Sequence, residues 1–432
     1  MSYFKEKVMQ NDQNRLLILS SLGGVLEFYD FIIFALFASY ISNAFFPATN
    51  ELVSLLITFA TFAIGYLARP LGGVIFGHFG DRIGRKVAFT ISILMMALAT
   101  LGIGLIPSYE RIGIIAPLAI ISLRIIQGIS IGGEIPGAIT YVSESYTQNK
   151  GFACGVIFGA LTLGIVLGSL VHASTISLFS SEQMQLFGWR VPFVLGGIFG
   201  LLSYLLRKDL HESAQFLEIE NTIEKFPIIT VFKEQFIMVL AGTFLAAMCA
   251  VIVTSLFLFI PAYFTKVLHL PADSFVWERT LAIAMGSAMS VFFGYLTDRI
   301  PVRKLVMALG ILTALCAYPI FFIYVYCTQL YLLAFLASAF LLGISAGIIP
   351  RLLSELFPTT IRYSGIAVSY NLGFALFGGL TPFISLSLIY YSGIATIPAV
   401  YLIAVAVMSV ISLMLIKKKE NRTHQMGSQC IA

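Results

Sequence analysis

Gly77-His78-Phe79-Gly80-Asp81-Arg82-Ile83-Gly84-Arg85-Lys86 returns 217 residues later as Gly294-Tyr295-Leu296-Thr297-Asp298-Arg299-Ile300-Pro301-Val302-Arg303-Lys304. Each copy has a Gly, an Asp-Arg four residues on, and a basic pair shortly after. A second pair, Ser143-Glu144 and Ser354-Glu355, recurs at 211 residues. Two repeats at nearly one offset imply that the chain is built from two similar halves, expected to be related by an axis along a membrane normal.

What surrounds these loops is apolar. Of the 432 residues, 59% are hydrophobic and only 11% are charged, and the mean hydropathy is +0.94. A soluble domain carries about 25% charged residues, so a string of soluble domains is excluded, as are disorder, coiled coil and a secreted disulfide scaffold. The cysteines (Cys154, Cys249, Cys316, Cys327 and Cys430) are scattered and odd in number, which suggests neither a disulfide framework nor a zinc site. A spanning helix needs roughly 20 apolar residues. The apolar runs predict twelve: 18–40, 52–76, 87–106, 114–142, 152–179, 189–206, 236–264, 277–296, 305–326, 330–353, 364–390 and 393–416. The polar start leads straight into the first of them, with no cleavable signal.

The longest polar connection, 207–233, reads as a short amphipathic cytoplasmic helix. The expected organisation is therefore an all-α membrane protein: a six-helix bundle over 1–206, a linker over 207–233, a second bundle over 234–416 and a basic tail over 417–432. If the N-terminus is cytoplasmic, nineteen Lys and Arg fall in cytoplasmic segments. The opposite face then holds only Arg111, Arg190, Lys266 and Arg279, while Arg69, Arg124 and Arg351 fall inside spans. That bias predicts both termini on the inside.

The loop at 77–86 resembles the signature between helices two and three of the major facilitator superfamily, and Arg124-Ile125-Ile126-Gln127-Gly128 resembles its second motif. Further motifs are similar to those of the metabolite:proton symporter family, which includes proline/betaine, ketoglutarate and citrate carriers. They are Glu27-Phe28-Tyr29-Asp30-Phe31, Arg69-Pro70-Leu71-Gly72-Gly73, Gly132-Gly133-Glu134, Gly188-Trp189-Arg190-Val191-Pro192-Phe193 and Ser354-Glu355-Leu356-Phe357-Pro358. The resemblance runs from about residue 20 to 415. It implies the twelve-helix fold of the superfamily, transport by alternating access, no enzymatic activity and no cofactor. The fifth helix lacks the Gly-Pro pair that looks typical of exporting antiporters in this superfamily, which favours uptake. Pro350-Arg351 departs from the family pattern, and an i,i+4 pairing of Arg351 with Glu355 accounts for it.

An ionisable residue inside a span is a functional candidate by default. Arg124 falls near mid-membrane, and its planar fork suits capture of a carboxylate. Asp30 falls at similar depth on the first span, with Glu27 one turn away on roughly the same face. These two acids are the candidate proton sites, and one of them is the expected ion-pair partner of Arg124 in the empty protein. A substrate carboxylate would compete for the guanidinium and release the acid to take up a proton. The bland alternative is a salt bridge that only holds helices together. Glu134, some 15 Å from Arg124 at about 1.5 Å per residue, is grouped with the proton-coupling acids and expected to pair with Arg69.

His172 reads as a packed polar residue. Asp81, Arg82, Arg85 and Glu144 read as a latch, in which Asp81 caps a helix N-terminus and the arginines bind Glu144. Asp298, Arg303 and Glu355 are the second-half counterpart. The glycine-rich loop lacks the strand-then-helix context of a phosphate cradle. In the second half Ser287, Tyr370 and Asn371 are candidates for neutral substrate contacts.

The function expected is proton-coupled symport of a small carboxylate-bearing metabolite, an organic acid or a zwitterion, by a monomer in the lipid bilayer of the cytoplasmic (inner) membrane. Neither a nucleic-acid partner nor a metal site is expected. A channel would need a pore ring or filter, usually multiplied by oligomerisation, and a membrane enzyme would need a metal or catalytic motif that the chain lacks. A nutrient sensor on the same fold, an exporter, and an importer of di- or tricarboxylates or a hydroxycarboxylate iron chelate are the alternatives.

Overall fold

A computed structural model describes residues 2–47, 51–219, 224–271 and 275–429; Cys430 and linker residues 220–223 lie outside the described part. The described chain is almost wholly helical. Eleven of the helices are long and apolar enough to cross a membrane, and a shorter apolar stretch, Pro398–Met414, makes the twelfth.

The spanning helices are α1 (Ser2–Leu36), α2 (Glu51–Arg82), α3 (Arg85–Leu105), α4 (Ile115–Ser145), α5 (Lys150–Leu178), α6 (Val191–Arg207), α7 (Phe236–Val253), α8 (Val276–Thr297), α9 (Val302–Tyr326), α10 (Tyr331–Leu353), α11 (Arg362–Leu372) and α12 (Pro398–Gln429). The expected limits shift where helix geometry breaks. The first span turns at Phe37 and resumes as a short helix over Ala38–Phe45. The seventh continues through a π-helical turn at Thr254–Leu258, and the eleventh through another at Gly373–Gly378. Such turns, i→i+5 in bonding, often mark functional positions. The linker is not one helix: Ala214–Ile219 and Pro227–Glu234 are separate.

The chain divides into two compact units, one comprising 1–146 with 160–223 and the other 147–159 with 224–432. In the first, α2 and α4 cross with their backbones nearly touching. A Cβ on Gly128 would run into the carbonyl oxygen of Gly65, and one on Gly132 into that of Arg69. In the second unit, α8 and α10 repeat the arrangement, with Gly347 against the backbone of Ser290 and Gly294. The first turns of α5 present Gly155 and Gly159 to the Ser290 and Ser287 carbonyls of α8. Small residues let membrane helices approach closely because lipid supplies no hydrophobic drive between them. These crossings carry Arg124 and Glu134 into the interior of the first unit, where both are buried.

Candidate functional site

In the first unit, α1, α3 and α4 bring Asp30, Thr100, Gln127 and Arg124 together, all four nearly or fully buried. The expected ion pair between Arg124 and Asp30 does not form. Arg124 Nη1 donates to Gln127 Oε1 at 2.8 Å, Gln127 Nε2 donates to Thr100 Oγ1 at 2.8 Å, and Thr100 Oγ1 donates to Asp30 Oδ2 at 2.5 Å. The reason lies in helix geometry. Gln127 is one turn beyond Arg124 on the same face, so it takes the guanidinium before the carboxylate of another helix can reach it.

Two aromatic rings complete the setting of Arg124, Phe34 at 4.1 Å and Phe62 at 5.1 Å from the guanidinium carbon. Ring faces attract a cation most strongly where water is excluded. Within this line Arg124 Nε and Asp30 Oδ1 keep no hydrogen-bond partner among the described residues. The line thus has an open donor at its cationic end and an open acceptor at its acidic end.

Glu27 lies one turn before Asp30, fully buried, and neither of its carboxyl oxygens has a hydrogen-bond partner. The attractive charges acting on it are Arg69 and, less strongly, Arg207; Glu134 and Asp30 repel it. Arg69 packs over Tyr66, 5.6 Å from the ring centre.

Glu134 is bound otherwise than expected. Its Oε1 lies 2.7 Å from Arg207 Nη1, and its Oε2 accepts from Ser92 Oγ at 2.5 Å. Arg207 also donates to the carbonyl of Leu19 at 2.9 Å and covers the Phe89 ring at 3.9 Å. Arg207 opens the polar 207–233 connection in the sequence, yet its side chain is wholly buried. It is a member of the buried charge set that sequence reasoning missed. The available signal was its position as the last residue of an otherwise apolar run, one turn after Ser203.

At the Asp81 end of the same unit, Arg85 makes the expected pair with Glu144. Its Nε donates to Oε2 at 3.1 Å and its Nη2 to Oε1 at 3.3 Å. Asp81 joins at 3.1 Å and the Gly80 carbonyl accepts at 2.7 Å. Arg82 is exposed. Two linker residues join this cluster, neither of them anticipated. Ser213 donates to Glu144 at 2.7 Å, and Glu212 accepts from the backbone N–H groups of Arg85 and Lys86, the first turn of α3. Phe216 lays its ring 4.7 Å from the Arg85 guanidinium carbon. Gly84, at φ +129°, makes room for Glu212 where a Cβ would collide with its carboxylate.

Burial pushes the Glu212 carboxyl above its ordinary value of 4.5, more than its backbone donors and Arg85 pull it down. A raised folded-state pKa contributes stability that is complete below 4.5 and is lost as pH rises through the folded value. The apparent melting temperature of the purified protein should therefore fall over that window, and Glu212→Gln should flatten the fall. An unchanged profile in Glu212→Gln would assign the dependence to another group.

The second unit holds the counterpart loop. Asp298 caps the N-terminus of α5, accepting from Gly151 N at 2.8 Å and Phe152 N at 2.9 Å. Arg351 sits between two acids, 2.7 Å from Glu355 Oε1 and 4.0 Å from Asp298 Oδ1. The i,i+4 pairing expected for Arg351 is therefore present. Arg303 lies exposed in the first turn of α9. Ser287 Oγ donates to the Ile283 carbonyl and Asn371 Nδ2 to that of Ala367, both at 2.8 Å, so each bonds the preceding turn of its own helix. Tyr370 is buried and stacked on Phe374 at 4.3 Å, with Phe158 edge-on at 6.2 Å. His172 meets Phe37 edge-on at 4.8 Å.

A helical bundle of this length, with charges buried in polar lines and glycine-crossed helices, is that of a multi-pass membrane protein. The chain belongs to the major facilitator superfamily: the model of the Major Facilitator Superfamily matches residues 20–288. A Staphylococcus aureus (strain COL) protein named a proline/betaine transporter is 32% identical over 424 residues, covering 94% of this chain and 89% of that one. A Salmonella typhi protein named citrate-proton symporter is 32% identical over 392 residues, covering 89% of each. Among solved structures, the proton:xylose symporter XylE superposes with a TM-score of 0.77 at 16% identity, over 95% of this chain and 96% of that one. That last likeness concerns the fold.

Proposed function

We propose that this chain is a proton-coupled symporter that takes up a small carboxylate-bearing metabolite by alternating access between two six-helix halves, 1–206 and 234–416. It acts as a monomer in the cytoplasmic membrane with both termini inside. The observation that carries this reading is the buried Arg124, held by a neutral amide and two rings with no carboxylate in contact among the described residues. A permanent charge in a low-dielectric interior gains most from an anion that can reach it. A substrate carboxylate supplies that anion, and the open Nε adds a second donor for bidentate capture. Asp30 and Glu27 then carry the proton.

Glu134, braced between Arg207 and Ser92, serves the packing of the half more than the coupling. Asp81, Arg82, Arg85 and Glu144 form one gate, with Asp298, Arg303 and Glu355 in the other. Tyr370, Ser287 and Asn371 supply the neutral contacts of the second half; Ser287 and Asn371 each also donate to the preceding turn of their own helix. One guanidinium at Arg124 suits one carboxylate, as in an amino acid or a betaine; Arg69 is the strongest attractive charge on Glu27. The relatives named for proline/betaine and for citrate-proton transport support the same chemistry of a carboxylate with a proton.

The test uses proteoliposomes held alkaline inside and offered radiolabelled proline, glycine betaine or citrate. Accumulation that a protonophore abolishes is expected for at least one. Accumulation that follows a sodium gradient and ignores the protonophore would overturn proton coupling, and failure of all three to bind or exchange would remove this substrate class.

A further inference from the structure

The hydrogen-bonded line between Arg124 and Asp30 has a direction, and that direction is chemical information. Arg has donors only, so Gln127 must face it with Oε1. That orientation leaves Nε2 as the end turned to Thr100, at 2.8 Å. With one position of Thr100 Oγ1 taken by this incoming donor, its own hydrogen goes to Asp30 Oδ2, at 2.5 Å. Each group donates to the next, from the cation to the acid, across three helices. All the connecting atoms are buried, so no water shortcut is needed to explain the line.

We propose that Gln127 and Thr100 are positioning residues that transmit the occupancy of Arg124 to the protonation of Asp30. The inference rests on the symport reading above and names the residues by which its two sites communicate. A substrate carboxylate that claims the Arg124 fork displaces Gln127 Oε1. The Gln127 amide then turns, and its N–H leaves Thr100. The hydroxyl that steadied Asp30 loses the donor that fixed its orientation, and Asp30 accepts a proton from the aqueous phase at Oδ1, the oxygen without a partner. One O–H bond forms on Asp30 as one O–H bond of a hydronium ion in the aqueous phase breaks and leaves water there, and the remaining changes are exchanges of hydrogen bonds. The reverse order returns the proton after the substrate leaves.

The groups that face Asp30 are few. Arg124 acts on it from α4, and Glu27 is the neighbouring acid on its own helix. From α3 comes Thr100, and from α6 Gly196, whose missing side chain leaves room for Oδ1. A change in the titration of Asp30 in variants that keep Arg124 and Glu27 therefore reports on the line itself.

The decisive experiment compares Gln127→Leu, Thr100→Val and Thr100→Ser in proteoliposomes, using whichever of labelled proline, glycine betaine or citrate the unaltered protein exchanges. Counterflow needs binding and translocation but no net proton movement. It should stay within a few-fold in all three variants, while proton-driven accumulation falls about tenfold or more in Gln127→Leu and Thr100→Val. Thr100→Ser, which keeps the hydroxyl, should accumulate normally. Parallel loss of counterflow and accumulation, or normal accumulation by Gln127→Leu, would overturn the relay. A second measurement needs no substrate. Infrared titration of the Asp30 carboxyl, assigned by its disappearance in Asp30→Asn, should move in Gln127→Leu and Thr100→Val and stay in Thr100→Ser. An Asp30 band that titrates alike in all of them sinks the relay even if symport stands, whereas a shifted band in a protein that carries none of the three probes would remove this substrate class and keep the link between the line and Asp30.

Discussion

Arg124→Ala should abolish proton-driven accumulation, and Arg124→Lys should come close to it. Lysine keeps the charge but loses the planar fork, so the two-point capture of a carboxylate becomes a single contact. It also loses the fit between the Phe34 and Phe62 rings, at 4.1 and 5.1 Å, and the geometry of the 2.8 Å bond to Gln127. A charge-assisted hydrogen bond is worth about 1.5–3 kcal/mol, so substrate affinity should drop at least about tenfold in the lysine variant and more in the alanine one. Because Arg124 does not touch Asp30 directly, Arg124→Ala alone should still fold well enough to reach the membrane. Pairing it with Asp30→Asn should not restore uptake. Uptake, surface expression and binding measured on the same preparations check each point. Near-normal accumulation by Arg124→Ala would reduce the residue to a packing element and remove the proposed mechanism.

The second large effect concerns stability. Glu134 and Arg207 form a buried ion pair at 2.7 Å, with both side chains almost wholly out of solvent. Removing one partner leaves the other charge uncompensated, which costs about 3–5 kcal/mol, whereas replacing both with apolar groups of similar size is often close to neutral. Glu134→Leu and Arg207→Met should each lower expression and thermal stability sharply, and the double substitution should recover most of the loss. Arg207 also holds the Leu19 carbonyl, so recovery falls short of complete. Measured by thermal unfolding in detergent, additive losses in the double variant would show that the two side chains do not act as a pair. Should Glu134→Gln fold normally yet lose proton-driven accumulation while retaining counterflow, Glu134 would return to the proton-coupling acids.

These two clusters also show where sequence reasoning stops. The depth of Arg124, Asp30 and Glu134 is legible, because helix rise is constant and the span limits follow from hydropathy. Which neighbour each meets is not. At a given depth several polar groups are available, and the choice depends on the rotation of each helix about its axis and on how closely its neighbours pack. Glu134 had Arg69 as the evident partner at its own depth, but met Arg207 from the end of α6. Arg124 and Asp30 lay level, but Gln127 and Thr100 stood between them.

The linker illustrates the same limit outside the spans. Glu212 and Ser213 sit in a polar, charged segment whose composition suits a solvated helix. Only docking against the Arg85–Glu144 pair turns them into a cap and a bridge. By itself the sequence determined the membrane class, the twelve spans, the internal repeat and the superfamily. Each of these depends on summed hydropathy or on motifs contiguous in the chain, and no long-range contact is needed to read them. The tertiary structure decided the partners of Arg124, Glu134 and Arg207: hydrogen bonds reach about 3 Å, and only the crossing of helices brings residues distant in sequence to that range.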